Sequence, residues 1–307
     1  MNGKSLAAIM KRQDLLDVDL DKFAAENMSS SKFQYKGRPG TSYNETTKAP
    51  IHPSVDFITL SNESSYSIVV VKKVSEKEND ETHMIKLISK MENFIKKTHF
   101  VRSVYVNKRI YMDYFNYDLY KFLTIRSDKD WDGLQSIFIF CLQSLNILME
   151  KNKCFTDIKL DQVLVRLYVP KRGSYYNVFT YFGQTFEIAL SDLDMKNCDT
   201  VDAFMLTNQY PETKRLPLAK QSEKQVLWSL GIMALEIFGN RRFVKENGSF
   251  VGTMNSIPQI KDDVDRLPIV PVLKTIIKNC FDPNVTRWQE GVVNVIDLKE
   301  RAVSRRG

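Results

Sequence analysis

The side chains best suited to chemistry lie in the segment 155–165, where an aspartate and a lysine stand two residues apart. A carboxylate such as Asp157 can accept or orient the proton of an attacking hydroxyl, and an ammonium such as Lys159 can stabilise the oxygens of a transferring phosphate. A long apolar run precedes the pair and a short β-branched run follows it, which predicts a loop between a buried helix and a strand. Because an aspartate-x-lysine triplet is also common on protein surfaces, the rest of the chain decides what it means.

A second carboxylate follows at a distance that suits a metal site. Asp192 comes 35 residues after Asp157 (192 − 157 = 35) and directly follows the apolar strand predicted at 186–190. A carboxylate at the end of a strand that faces a cleft is what Mg²⁺ between phosphates requires. An ordinary aspartate-rich turn is the alternative interpretation.

A strand lysine is the third candidate group. Lys72 lies in the β-branched segment 66–74, which predicts a strand, and it could contact the α- and β-phosphates of a nucleotide. The following amphipathic segment 80–95 predicts a helix that could supply a carboxylate to orient this lysine. Glu81, which opens that helix, is the preferred partner and Glu92 is the alternative.

Glycines that could cradle a phosphate are scarce. The G-x-G-x-x-G pattern is missing before Lys72, and Gly37 and Gly40 form the one glycine-bearing candidate loop. Because this loop lies far upstream of Lys72, its use would require a long insertion between two strands. Backbone N–H groups can bind a phosphate without three glycines, although close approach is then harder.

The elements that position these groups divide the chain into three parts. We predict an extension at 1–32 with a partial helical stripe, a small sheet-plus-helix lobe at 33–115 and a larger, mostly helical lobe at 116–307. Residues 32–60 are rich in turn formers. In the small lobe, strands are predicted at 66–74, 99–106 and 109–115 around the helix 80–95. In the large lobe, helices are predicted at 134–150, 224–239, 271–280 and 289–301, with short strands at 163–168 and 186–190.

Composition limits the classes of partner. The chain has 307 residues, is 43% hydrophobic and carries a formal net charge of +7, which is spread too thinly to indicate a nucleic-acid site. No apolar run is long enough to predict a membrane span. Four scattered cysteines and three histidines make a zinc site improbable, and we expect reduced cysteines in a cytoplasmic or nuclear compartment. We expect a protein substrate or a protein binding partner.

With these groups in this order, the chain resembles the eukaryotic-type protein kinase superfamily over about residues 33–290. Residues 155–165 resemble the catalytic loop, with Asp157 as the base and Lys159 as the phosphate-contacting lysine of Ser/Thr kinases. Residues 191–194 resemble the metal-binding triplet and Lys72 the strand lysine. Three later segments resemble the end of the activation segment, the central helix and a late arginine motif: Tyr210–Glu212, Trp228–Gly231 and Cys280–Pro283 with Arg287.

The resemblance implies a bilobal α+β fold that binds ATP and Mg²⁺ between a small β-rich lobe and a larger, mostly helical lobe. Asp192 would bind Mg²⁺, and Gln162 stands where an asparagine usually binds a second Mg²⁺. The hinge between the lobes would lie near residues 113–115, with Met112 and Tyr114 at the base pocket. Glu212 and Arg287 would form a buried ion pair.

Several departures from the family pattern leave three functions open. Thr156 stands in place of the catalytic-loop arginine, Asp194 in place of a glycine, and Val226 in place of an aspartate that braces the catalytic loop. A divergent Ser/Thr protein kinase is the first hypothesis, because the base, the phosphate-contacting lysine and the metal ligand are present. A pseudokinase acting as a scaffold or decoy is the second. A small-molecule kinase is the third, and the closing Pro-Glu and late arginine motifs disfavour it.

Overall fold

The fold is taken from a computed structural model of the chain. The structure describes residues 44–52, 55–61, 66–74, 80–106, 108–115, 117–124, 129–154, 158–167, 175–191, 196–197, 210, 212, 215–239 and 257–292. Asp157, Asp192, Gly37 and Gly40 lie outside these ranges, as does the predicted extension 1–32.

The first part of the described chain builds a five-stranded antiparallel sheet. Its strands are β1 (Asn44–His52), β2 (Val55–Ser61), β3 (Tyr66–Lys73), β4 (Ser103–Val106) and β5 (Arg109–Asp113). They are arranged in the order β1-β2-β3-β5-β4. Within this sheet β3 lies between β2 and β5, so the strand that carries Lys72 is central.

The prediction that residues 32–60 form turns is wrong for β1 and for most of β2. The prediction failed because the segment contains prolines, and a proline inside a segment argues against a central strand. Pro50 lies in β1, which is at the edge of the sheet and has register shifts on either side of Lys48–Pro50. An edge strand tolerates the missing N–H, because only one side of the strand needs hydrogen bonds.

Two helices follow β3 where one was predicted. The first, α1 (Asp80–Ser89), ends earlier than the predicted residue 95, and a short helix α2 (Phe94–Lys97) comes next. Asn93 separates them, because its side chain accepts a hydrogen bond from the Lys96 N–H at 3.3 Å and so caps α2. The helical periodicity of the sequence continues across this break, which is why it did not show the end of α1.

The second part of the described chain is mainly helical around a small sheet. Its helices are α3 (Leu119–Thr124), α4 (Trp131–Met149), α5 (Leu218–Ile237), α6 (Ile257–Arg266), α7 (Pro271–Phe281) and α8 (Trp288–Gly291). Its strands are β6 (Tyr117–Asp118), β7 (Lys153–Cys154), β8 (Val163–Arg166), β9 (Asn177–Tyr181), β10 (Gln184–Leu190) and β11 (Lys196–Asn197). Strands β6, β8, β10 and β9 form one sheet, and β7 pairs with β11.

The predicted apolar helix is α4, and it forms part of the core. Asp130 caps its first turn by accepting a hydrogen bond from the Gly133 N–H at 3.0 Å. Of the described helices, α4 alone is long and apolar enough to cross a bilayer, but 61% of that stretch is buried by the rest of the fold. A core helix passes the same test, so length and composition here are weak evidence for a membrane span.

Helix α5 is the most deeply buried helix of the second part. It ends before Gly239, whose φ of +74° is the left-handed conformation that commonly stops a helix, as the sequence predicted. Gly231 lets α5 approach α7 closely, since a Cβ at this position would lie 2.8 Å from the Phe281 ring. These two glycines therefore serve different purposes, one in ending the helix and one in packing it.

A short backbone bridge connects the two parts. The predicted strand 99–106 begins only at Ser103, because residues 99–101 pair instead with the end of β10. The Val101 N–H donates to the Leu190 carbonyl at 2.9 Å, and the Leu190 N–H donates to the His99 carbonyl at 2.8 Å. The segment that follows α2 is therefore hydrogen-bonded to the end of β10, next to the predicted metal-binding turn at residues 191–194.

The cysteines differ from the sequence expectation in one respect. Cys141 and Cys280 are buried free thiols, and burial raises the pKa of each to about 12. Cys154, however, is disulfide-bonded. The prediction that the cysteines are reduced is therefore wrong for Cys154, because cysteine spacing in a sequence does not show which sulfurs meet in the fold.

Candidate active site

The strand lysine and the helix carboxylate form an ion pair. Lys72 Nζ lies 2.7 Å from Glu81 Oε2, so the partner is Glu81 and not Glu92, which is exposed. The Glu81 side chain is only 4% exposed, whereas that of Lys72 is 30% exposed. The buried carboxylate therefore fixes an ammonium that still reaches solvent, which is the arrangement needed to hold an anionic ligand.

The register of the sheet places a predicted base-pocket residue on the same face as Lys72. In the antiparallel pairing of β3 with β5, Lys72 is opposite Ile110 and Val70 is opposite Met112. Opposite residues and residues two apart share a face, so these four side chains lie on one side of the sheet. An apolar surface with the ammonium at one end suits a flat base attached to phosphates.

Tyr114 follows β5, where the hinge was predicted. Burial, and then the neighbouring Tyr117, raise the pKa of its phenol above the ordinary value. Tyr114 therefore stays neutral across the physiological range and offers an O–H group and a ring, not a charge.

The part of the predicted catalytic loop that the structure describes begins at Ile158. Ile158 and Leu160 are buried on either side of the half-buried Lys159, so two apolar anchors hold the lysine in place. A 3-10 turn, Leu160–Gln162, follows. The Gln162 side-chain oxygen accepts a hydrogen bond from the Lys159 N–H at 3.2 Å, which ties the end of this turn back to its start.

Two hydrogen bonds join this loop to the predicted metal-binding turn. Ser191 donates to the Gln162 carbonyl through both its N–H, at 2.8 Å, and its hydroxyl, at 2.9 Å. Asp192 directly follows Ser191, and Asp157 directly precedes Ile158. The chain neighbours of both carboxylates are therefore described, and the roles of the two carboxylates themselves stay predictions. No three His, Cys, Asp or Glu side chains group as a metal site among the residues that the structure describes.

The predicted glycine loop does not connect the first two described strands. The register pairs His52 with Val55, so residues 53–54 make that connection, and Gly37 and Gly40 precede β1. Pro53 and Ser54, like the two glycines, lie outside the described residues. A role for Gly37 and Gly40 in binding phosphate stays a prediction, and it is not needed to join β1 to β2.

A buried polar cluster surrounds the hinge, and sequence reasoning missed it. The Asp113 carboxylate accepts hydrogen bonds from Arg102 Nε at 3.2 Å, from Arg102 Nη2 at 3.1 Å and from the Tyr176 hydroxyl. The Tyr176 hydroxyl in turn accepts one from the Arg102 N–H at 3.0 Å. Burial, and then the Asp113 charge, raise the pKa of Tyr176 well above its ordinary value. Since the partners are 11 and 63 residues from Asp113, no local motif indicates this cluster.

The cluster continues into the large lobe. The Arg166 guanidinium lies over the rings of Phe115 and Tyr176, 5.4 and 5.3 Å from their centres, and Arg166 Nε donates to the fully buried Glu187. Arg166 is on β8 and Glu187 is on β10. The contacts therefore connect the end of β5, in the five-stranded sheet, with the four-stranded sheet. The segment predicted as the hinge is therefore held by charged side chains in addition to the backbone.

We expect Asp113→Ala to lower the free energy of unfolding by about 3–5 kcal/mol, because it leaves the Arg102 guanidinium in a buried site without its carboxylate. Tyr176→Phe removes two hydrogen bonds, the one that the hydroxyl donates to Asp113 and the one that it accepts from the Arg102 N–H, and should lower the free energy of unfolding by about 1–3 kcal/mol. Urea unfolding followed by circular dichroism measures both values. The control is Glu212→Ala, because the ion pair of Glu212 with Arg215 is exposed and should contribute less than about 1 kcal/mol. A loss for Asp113→Ala no larger than that of the control would show that the cluster does not stabilise the fold.

The segment that resembles the end of an activation segment docks on α5. The Tyr210 ring packs edge-on against Trp228 with 5.3 Å between ring centres, and the Tyr210 N–H donates to the Gln225 side chain at 2.8 Å. Burial raises the pKa of Tyr210. The side chain of Gln225 also donates to the Ser229 hydroxyl at 3.0 Å, so the contact is fixed by polar groups of α5 next to Val226.

The predicted ion pair between Glu212 and Arg287 is wrong. Arg287 Nη1 donates to Glu223 at 2.7 Å, and Glu212 accepts from Arg215 at 2.9 Å. Glu223 lies on α5 and also accepts a hydrogen bond from the Trp288 N–H. Its carboxylate therefore binds both Arg287, the residue before α8, and Trp288, the first residue of α8. Arg215, only three residues from Glu212, is the nearer partner.

The described groups fit the phosphates and the base of ATP. A partly exposed ammonium held by a buried carboxylate suits phosphate oxygens, and the sheet face with Val70 and Met112 suits the base. Carboxylate ligands for Mg²⁺ would come from Asp192, which lies outside the described residues.

Comparisons with known proteins identify the fold. No protein-family model and no curated protein sequence matches the chain. Among solved structures, the kinase domain of PF14_0431 is 13% identical, with a TM-score of 0.53, and the match covers 87% of this chain and 96% of that one. A structure described as the Rad53 kinase domain and SCD2 is 14% identical, with a TM-score of 0.52, covering 83% and 85%. These likenesses confirm the α+β prediction: the chain has the bilobal fold of protein kinase domains, with a small antiparallel-sheet lobe and a larger helical lobe.

Proposed function

We propose that this protein is a divergent Ser/Thr protein kinase, which transfers the γ-phosphoryl group of ATP to protein hydroxyls. The Lys72–Glu81 ion pair is the observation that carries the proposal. A lysine on a central strand, oriented by a buried carboxylate of the next helix, holds the α- and β-phosphates in enzymes that transfer phosphoryl groups.

In the proposed reaction, each residue of the candidate site has a distinct role. ATP with Mg²⁺ supplies the phosphoryl group and neutralises charge on its oxygens. Lys72 positions the phosphates, while Met112 and Tyr114 line the base pocket. Asp157 orients the attacking hydroxyl and takes up its proton, and Lys159 holds the transferring phosphate. Asp192 binds Mg²⁺, assisted by Gln162.

The alternative function is that of a pseudokinase that binds partners without transferring phosphate. The hydrogen bond from the Lys159 N–H to Gln162 favours it, because it engages the oxygen that a second metal ion would need. The connection between β1 and β2 also contains no glycine, so a phosphate could not approach its backbone as closely.

Nucleotide binding and turnover distinguish the two functions. We expect the purified protein to bind ATP more tightly with Mg²⁺ than without it, and to phosphorylate serine or threonine in a generic basic protein substrate. Asp157→Asn should lower turnover by about 10²–10⁴-fold, because the substrate hydroxyl loses its base. Asp161→Asn is the matched control, since Asp161 is exposed in the same loop and should keep turnover within a few fold.

Each other outcome has a definite meaning. ATP binding without turnover under any condition would support the pseudokinase, and no ATP binding at all would contradict the kinase. Phosphate on a small molecule but not on protein would support a small-molecule kinase. We also propose that the substrate is a protein and that the kinase itself is cytoplasmic or nuclear.

A further inference from the structure

Three consecutive residues of the large lobe, 175–177, each contact the small lobe through their side chains. Tyr176 binds the Asp113 carboxylate of the buried polar cluster described above. Tyr175 and Asn177, on either side of it, contact α2 and the residue that follows α2. We call residues 175–177 the latch, because they join two parts of the chain that are far apart in sequence.

The Tyr175 ring contacts both α2 and an arginine. Phe94, the first residue of α2, meets the ring edge-on, with 5.3 Å between ring centres. The Arg102 guanidinium lies over the same ring, 5.3 Å from its centre. Since this guanidinium is itself held by Asp113 at 3.1 Å, the ring rests against a fixed group. Ring contacts of these two kinds are directional, so they favour one position of Phe94.

Asn177 holds the other end of α2. Its side-chain amide donates hydrogen bonds to the Thr98 hydroxyl at 3.1 Å and to the Thr98 carbonyl at 3.4 Å. Thr98 is the C-cap residue of α2, where helix carbonyls need partners from outside the helix. Asn177 is also the first residue of β9, which pairs with β10, so its backbone is fixed in the four-stranded sheet. The latch therefore contacts α2 at both of its ends.

Helix α2 is linked in turn to the end of α1. The Lys97 ammonium donates to the carbonyl of Ser89, the last residue of α1, at 2.8 Å. A lysine in this place satisfies a carbonyl at the end of the helix. In the short connection between the two helices, Met91 is buried and its N–H donates to the Ile88 carbonyl at 3.1 Å. A shift of α2 would therefore move the carboxyl end of α1.

A pocket of about 140 Å³ separates α1 from Tyr175. Ile85 and Ile88 of α1 line it, as does Val101 in the segment after α2. Folded interiors are normally close-packed, and a helix beside a space of this size has room to shift. On this side α1 is therefore held through its end and through α2, and not by direct packing against the latch.

Glu81 lies in the first turn of α1, eight residues before Ser89 (89 − 81 = 8). Eight residues of helix are about 12 Å long, and over so short a length a movement of one end displaces the other. The Glu81 carboxylate lies 2.7 Å from Lys72 Nζ, and hydrogen-bond geometry does not tolerate a shift of about 1 Å. The position of α1 therefore determines whether the ion pair forms.

We infer that Tyr175 and Asn177 are positioning residues for Glu81. The latch holds α2, α2 holds the end of α1, and α1 keeps the carboxylate beside Lys72. Without the latch, α1 would shift into the pocket and the ammonium would lose its orientation. The effect of this shift on catalysis rests on the proposed function, whereas the effect on α1 does not.

Hydrogen exchange on the full chain, without nucleotide, tests the effect on α1. The latch variant is Tyr175→Ala with Asn177→Asp, which removes the ring and replaces the donating amide by an acceptor of the same size. We expect the amides of α1 to exchange at least about tenfold faster in this variant, while those of α4 keep their wild-type rates. Val178→Ala with Thr180→Ala is the matched control, because both side chains are exposed on β9, and it should change neither helix.

Two results of the exchange experiment would overturn the inference. The first is a wild-type exchange rate for α1 in the latch variant. The second is an equal acceleration of α1 and α4, because the latch would then stabilise the whole fold and not position one helix. Tyr175→Phe alone keeps the ring and should leave the exchange of α1 within about twofold of the wild type.

A double-mutant cycle with Glu81→Gln tests the effect on turnover. We expect the latch variant to lower kcat by about tenfold in the wild-type background. In the Glu81→Gln background the loss should be less than about twofold, because no carboxylate remains to be positioned. An equal loss in both backgrounds would overturn the positioning role. A wild type without any turnover would contradict the kinase proposal, and the exchange of α1 would then decide the latch by itself.

Discussion

Lys72→Met is expected to lower turnover by about 10²–10³-fold, which is the usual effect of removing one preorganised group that stabilises a transition state. Lys72 Nζ lies 2.7 Å from the buried Glu81 carboxylate, and the lysine side chain is itself 30% exposed. It is therefore placed to contact an anion, and we expect no other side chain to take over that contact in the variant. Methionine retains the length and apolar stem of the side chain and removes only the charge. Initial-rate kinetics with ATP and a protein substrate measure the effect. Lys121→Met, at an exposed lysine of α3, is the matched control and should leave turnover unchanged.

A second variant separates this loss from a loss of stability. Lys72→Met leaves the Glu81 carboxylate buried beside an apolar side chain, which destabilises the fold until that carboxylate takes up a proton. Lys72→Met combined with Glu81→Gln removes both charges, so we expect it to regain most of the stability but none of the activity. If the double variant regained turnover as well, Lys72 would act on the fold and not on the phosphates. Unchanged turnover in the single variant would mean that another lysine holds the phosphates.

Lys224 is expected to make the protein more stable as the pH rises from about 8 to 10.5. This lysine is fully buried on α5, and its Nζ donates to the Cys280 and Asp282 carbonyls at the end of α7, at 3.1 and 2.6 Å. It also lies over the Tyr210 ring, 5.2 Å from the centre. Helix-end carbonyls and an aromatic face attract a cation. Burial nevertheless outweighs them and lowers the pKa of Lys224 to about 8.

The sign of the pH effect follows from the lowered pKa. Between pH 8 and 10.5 the folded protein has a neutral Lys224, while the unfolded chain still binds the proton. Because the unfolded state then binds more protons, the free energy of unfolding rises with pH across this window. Below pH 8 both states are protonated and the full penalty of burying the charge remains. A difference of 2.5 pKa units corresponds to about 3 kcal/mol.

Comparison with Lys224→Met isolates this contribution. The buried tyrosines and cysteines act in the opposite direction, since burial raises the pKa of Tyr176 and of Cys141 and favours their neutral forms in the folded protein. We therefore expect the wild type to gain up to about 3 kcal/mol relative to Lys224→Met between pH 8 and 10.5, measured by urea unfolding at several pH values. Parallel pH profiles for the two proteins would mean that solvent reaches Lys224 and that its pKa is ordinary.

The predicted elements succeeded where a local pattern determined the structure. The β-branched run gives β3, the apolar run gives α4, and Gly239 ends α5 close to the predicted position. Strand β1 of the small lobe was not predicted. Its Pro50 is tolerated because β1 is at the edge of the sheet, and edge position depends on the whole sheet and not on the segment itself. In the same way, the periodicity of 80–95 does not show that Asn93 starts a new helix.

The candidate site shows the same division. Sequence pattern was enough to pair Lys72 with Glu81 and to prefer Glu81 over Glu92. The roles of Met112 and Tyr114 at the base pocket stay predictions from the resemblance. The ion pairs of the late motifs needed the fold, because Arg287 contacts whichever carboxylate lies within reach, and this is Glu223 and not Glu212. Side chains that meet across 60 or more residues leave no periodic trace in the sequence.

The sequence alone therefore determined the order of the motifs, the type of each main element and the residue types available for the proposed phosphoryl transfer, because these depend on neighbours a few positions apart. The tertiary structure alone decided that Asp113 is clamped by Arg102 and Tyr176, that Lys224 caps α7 and that Ser191 joins the two predicted catalytic segments through Gln162. Those contacts arise only when distant segments pack together, since burial then forces each polar group to find a partner wherever one lies within hydrogen-bonding distance.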